Sequence, residues 1–207
     1  MKELAQEFIK EKGKELVFVS GTILVILAMA FGYSYLIEGG DPYVPEGLHR
    51  VESQLDKRLT QGLSITEDVT LDLNQFLELE LQGNTAAILS KANEAKAPLA
   101  EINSIVSKAA EDIEDIAAVI PQIKPKIAQR ALSDALTYAA ILGQRLLTFS
   151  EQMDSLYVGL ETRAKGEESI ADYVRLVQEA NVVVQEINSL RDQYNASMSQ
   201  FYELTDA

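Results

Sequence analysis

Cysteine is absent from this chain, which excludes disulfides, thiolate metal sites and cysteine nucleophiles. Tryptophan is absent too, and histidine occurs once, at His49. One histidine cannot supply the paired Glu-x-x-His motifs of a di-iron helical bundle. Basic residues are scarce: 18 Lys and Arg stand against 32 Asp and Glu, a net charge of −14. Nucleic-acid binding needs a basic face, so that balance argues against it. It equally disfavours lying flat on anionic lipid. No G-x-S-x-G elbow, phosphate loop or dinucleotide fingerprint occurs. The chain therefore reads as a non-enzyme, with no catalytic, cofactor or metal residues expected.

What is present is one uninterrupted apolar run, Leu16 to Ile37, with no charge in it. At about 1.5 Å per residue its 22 residues span roughly 33 Å, enough for a hydrocarbon core of about 30 Å. Phe31, Tyr33, Tyr35 and Tyr43 gather toward its far end, where an interfacial aromatic belt sits. Lys10, Lys12 and Lys14 precede the run, whereas Glu38, Asp41 and Glu46 follow it. The positive-inside rule then places residues 1–15 in the cytoplasm, 16–37 in the bilayer and the rest outside.

Two processing signals compete with a retained anchor. Ala28-Met29-Ala30 fits a signal-peptide cleavage site, but the apolar run continues past it. Gly13 ahead of a long apolar helix resembles the leader of type IV pilins, a minor alternative that would make the chain a filament subunit. Lys14 and Glu15 follow at once, however, and the glutamate usual five residues into a mature bacterial pilin falls at Phe18. Within the span, Gly21, Ala28 and Gly32 share one helix face, and small residues there let two membrane helices approach closely. The bland alternative is that glycine and alanine are common in such helices.

Residues 38–45 read as a linker, with two glycines and two prolines in Gly39–Pro45. Pro45 suits the first turn of the helix that follows. Residues 46–207 form an expected extracytoplasmic helical domain. In its first segment Leu48, Val51, Leu55 and Leu59 keep helical spacing, then Gly62 interrupts. Ser64-Ile65-Thr66-Glu67 reads as a capping box that starts a second short helix. Gly83-Asn84 is a helix stop, and Thr85 a cap for the next segment.

From there the pattern is strict. Ile88, Ala92, Ala95, Leu99, Ile102, Val106, Ala109, Ile113, Ile116 and Ile120 step by four and three, a heptad seam. Pro98 lies off that seam and should kink the helix. Pro121 and Pro125 mark a reversal. The seam then resumes through Leu132, Ala135, Ala139, Leu142, Leu146, Phe149, Met153, Leu156 and Leu160. The last segment, from Glu167 onward, carries Ile170, Tyr173, Val177, Ala180, Val184, Ile187, Leu190, Tyr194, Phe201 and Leu204. Short connections make neighbouring helices antiparallel. The fold class is all-α: one transmembrane helix, then an elongated up-down antiparallel bundle of four helices. A three-helix bundle with a loose first segment is the alternative.

Each remaining feature has a bland reading that outweighs the functional one. Glu111, Asp112, Glu114 and Asp115 could share a cation, but they lack the turn of a calcium loop, and a solvated face explains them. Tyr138, Tyr157, Tyr173, Tyr194 and Tyr202 could line a ligand pocket, yet tyrosine at helical spacing usually packs. Met153 suits a core better than a haem. Asn195-Ala196-Ser197 is a glycosylation sequon, which chance also produces. The expected function is a structural or interaction subunit. It would contact the bilayer through 16–37 and otherwise membrane or extracytoplasmic proteins, or itself. A sensor or ligand-binding module of the four-helix ectodomain kind, acting through a partner, is the second reading, by fold-level analogy.

Overall fold

The computed structural model describes residues 42–81, 84–164 and 170–205. Among them are four α-helices and no strand. They are α1 (Leu48–Leu81), α2 (Thr85–Val119), α3 (Lys126–Ala164) and α4 (Ile170–Thr205). A short 3-10 turn, Ile120–Gln122, follows α2. No described helix is long and apolar enough to cross a membrane. The expected span 16–37, with Gly21, Ala28 and Gly32, lies outside the described residues, as do 1–15.

The seams of α2 and α3 are buried as their spacing requires. All the α2 seam residues from Ile88 to Ile116 are in the core, and Ile120 alone is half-buried, in the 3-10 turn. All nine α3 seam residues are buried. Pro98 is exposed and α2 runs on through it, because the missing N–H and the ring fall on the solvent side.

The first segment differs from the sequence expectation: α1 is one helix of 34 residues, not two. Leu63 and Ile65 are buried off its seam, whose buried positions are Leu48, Glu52, Leu55, Leu59, Gly62, Thr66 and Val69. They step by four and three like the other seams, but three of them are not apolar. Gly62 does not end the helix; it lets helices approach. A Cβ there would lie 2.8 Å from Leu146 Cδ1 and 3.8 Å from Ile105 Cγ2. The capping box is not formed either. Thr66 Oγ1 donates to Gly62 O at 3.0 Å, a bond to the preceding turn within a continuous helix.

Two helix starts also differ. Asn84, not Thr85, caps α2: its Oδ1 accepts from Ala87 N–H at 3.2 Å. Pro45 is not in the first turn of α1. It is buried, and its carbonyl accepts from Leu48 N–H across a turn in which Gly47 takes φ +88°. Just before it, Tyr43 pairs with Lys124: Lys124 N–H donates to Tyr43 O at 2.9 Å and Tyr43 N–H to Lys124 O at 3.1 Å. The described end of the expected linker is thus held by backbone bonds.

The chain forms two compact units, each drawing on all four helices. The first gathers the described residues up to Gln54, Ala110–Ile141 and those from Arg191 onward. Its core includes Leu48, Ile113, Ile116, Ile123, Leu132, Leu136, Tyr194 and Phe201. Gln129 closes the turn after α2, its Nε2 donating to Ile123 O at 2.7 Å. The second unit comprises Leu55–Ala109 and Leu142–Leu190. Here Gln61 Nε2 donates to Glu101 Oε1 at 2.7 Å and an Arg58 guanidinium N–H to Lys108 O. Ser150 Oγ donates to Leu99 O at 3.2 Å. Arg145 Nε and Glu186 Oε2 pair at 3.0 Å.

Candidate functional site

The second unit contains a groove of about 330 Å³ between α1 and α4. Leu63, Thr66, Thr70 and Leu71 line it from α1, Val184 and Ile187 from α4. Glu67 and Asn188 supply its polar edge and are both exposed. Ile187 is fully buried, Val184 half-buried, and Leu71 stands 61% exposed.

The groove arises from the α1 seam. There the α1 seam places Thr66, smaller than the Leu, Ile and Phe that occupy many seam positions of α2 and α3. The threonine hydroxyls are committed to their own helix: Thr66 Oγ1 to Gly62 O at 3.0 Å, Thr70 Oγ1 to Thr66 O at 2.7 Å. Each hydroxyl has one proton, so neither can donate to an occupant. The surface offered is mostly aliphatic, with acceptors at the edge.

A smaller polar grouping occurs in the first unit. His49 Nδ1 lies 3.5 Å from Glu52 Oε2, and the imidazole stacks on Tyr202 with centroids 6.3 Å apart. The Glu52 side chain is 6% exposed and that of His49 64%. The apolar pattern hides Glu52, because a carboxylate at a seam position reads as a gap.

The other features singled out in the sequence are dispersed. Glu111, Glu114 and Asp115 face solvent, whereas Asp112 is buried at 5% exposure. Among the described residues no group of three or more His, Asp or Glu could hold a metal ion. Tyr157 and Tyr194 are core residues, Tyr138 and Tyr202 half-buried, and Tyr173's side chain lies outside the described ones. Met153 is fully buried on the α3 seam. Asn195 is exposed. Sequence periodicity misses the groove because it records which face of a helix is apolar, not how completely two faces fill the space between them. No family model, curated protein or solved structure matches this chain.

Proposed function

We propose that this chain is a non-enzymatic, single-pass membrane-anchored subunit that tethers or assembles partner proteins through its helical domain. The observation that carries the reading is the uncharged run Leu16–Ile37, followed by a chain whose apolar residues repeat at heptad spacing. The N-terminus is cytoplasmic and the helices, in up-down antiparallel order, stand on the other side. The buried seams of α2 and α3 support a rigid spacer, since packed interiors transmit position with little give.

The test is the native mass of the full-length protein extracted from its own membrane in mild detergent, with its companions identified. A defined assembly of fixed stoichiometry is expected. A lone monomer would falsify the subunit reading, and a homopolymer would turn it toward a filament.

A second reading, a ligand-binding module that acts through a partner, draws on the α1–α4 groove. Its volume stands at the small end of the range for cavities that enclose drug-sized ligands, about 300–1,000 Å³.

A further inference from the structure

We propose that the first unit docks on the phosphate layer of the bilayer through a patch made by Tyr43 and the turn between α2 and α3. The proposal rests on the reading of Leu16–Ile37 as an anchor and adds a second contact, made by the folded domain itself.

Reach is the first argument. Five residues separate Ile37, the end of the uncharged run, from Tyr43. At no more than about 3.6 Å per residue, Tyr43 lies within about 22 Å of that end. The backbone bonds of 2.9 and 3.1 Å between Tyr43 and Lys124 bring the turn to the same place.

The second argument is charge. The stretch Ile116–Ser133 contains Lys124, Lys126 and Arg130 and no Asp or Glu, in a chain with 32 acidic residues. Lys124 and Arg130 are exposed and Lys126 half-buried. None of the three forms an ion pair with a described residue. The tether carries Glu38 and Asp41, and Glu46 follows Tyr43. Lipid phosphate repels those carboxylates, and the three cations beside them offset the repulsion. The net charge of −14 opposes any broad contact with such a surface, so the contact is confined to this patch.

The third argument is apolar exposure. Tyr43 stands 51% exposed and Ile127 54%. Ile127 follows Lys126 in the first turn of α3, and Arg130, three residues on, shares its face. An aromatic and an aliphatic side chain flanked by cations suit the boundary between head groups and acyl chains.

The chain has no tryptophan, so a single introduced one reports from one place. Ile127→Trp is made in the full-length chain and reconstituted in vesicles of phosphatidylcholine with a minor fraction of phosphatidylglycerol. Quenching by lipid that carries a nitroxide on its head group is expected. It should fall about twofold or more when Lys124→Gln and Arg130→Gln are added, and fall again as salt is raised. Both side chains are exposed, and the Tyr43–Lys124 bonds are backbone bonds, so the pair spares the turn. Circular dichroism checks each variant. If Ile127→Trp loses helicity, Tyr43→Trp takes its place as reporter.

Equal quenching with and without the two cations shows that the tether alone holds the patch near lipid, and overturns the proposal. So does a reporter open to acrylamide and untouched by the nitroxide. A reporter shielded from both is covered by protein, which overturns it too. Leu27→Trp, read with a nitroxide deep in the acyl chains, tests the anchor separately. If that reporter is quenched and the one at Ile127 is not, the anchor stands and the patch falls. If it is not quenched, the anchor reading falls and the patch with it.

Discussion

Gly62 and Gly143 both sit inside helices of the second unit, and the same substitution should affect them differently. Alanine gains about 1 kcal/mol of helix propensity over glycine at either place. At Gly143 the added Cβ meets Val106 Cγ1 at 3.3 Å, which a shift of a few tenths of an ångström relieves. At Gly62 it meets Leu146 Cδ1 at 2.8 Å, and Leu146 is fully buried, so its side chain has to turn within the core. Overpacking of that kind costs about 1–3 kcal/mol. Gly143→Ala should therefore stay within about 0.5 kcal/mol of wild type in urea unfolding, while Gly62→Ala loses about 1 kcal/mol. Leu146→Val beside Gly62→Ala should recover part of that loss; strict additivity in the double-mutant cycle would show that the close approach is not the cause. Asn84→Ala removes the α2 cap and should cost about 1 kcal/mol, measurable by the same unfolding.

At the scale of the element, the seams of α2 and α3 are legible because every seam position carries an apolar residue, whereas the α2 cap at Asn84 and the buried off-seam Ile105, Leu136 and Tyr157 are not. In α1 the same seam passes through Glu52, Gly62 and Thr66, so a hydrophobicity pattern sees two fragments and a capping box between them. The structure keeps the helix whole because the neighbours of Gly62 reward a missing side chain. Hydrogen exchange tests this directly. Amides of residues 62–68 should be as protected as those around Leu55 and Leu59, whereas two short helices would leave the first amides after Ser64 unprotected. In α4 the pattern chose Val184, yet Val183 is buried and Val184 only half so; Met198 is buried too. Three consecutive valines, Val182–Val184, give periodicity nothing to choose between, and packing decides. The tie between α2 and α3 through Ser150 is likewise invisible in sequence, since its acceptor, Leu99 O, is 51 residues away. Ser150→Ala should cost about 1 kcal/mol in thermal unfolding, the net worth of one buried hydrogen bond.

For the whole molecule, the sequence legibly divides into an uncharged run and a strongly acidic remainder, and function is argued from that contrast. Each compact unit takes non-contiguous stretches of chain from all four helices, so neither can be cut out as a single segment. At this scale charge governs how fast a cationic molecule reaches the chain. A chain of net −14 draws basic partners faster at low salt, and raising the ionic strength should slow the association of any cationic helix more than its dissociation. Stopped-flow binding of a cationic amphipathic peptide at two salt concentrations separates those rates.

The pairing of Tyr43 with Lys124 bears on mechanics. If the preceding segment is fixed in a bilayer, any tug on the helical domain enters the described structure at Pro42. One residue later the force meets two backbone bonds to the turn after α2, at 2.9 and 3.1 Å, before it reaches the first turn of α1 at Leu48. Load is thus shared with a second stretch of chain instead of peeling α1 from its end. In an anchored chain the pairing would act as a strain relief, like the clamp that keeps a pulled cable from tearing at its solder joint.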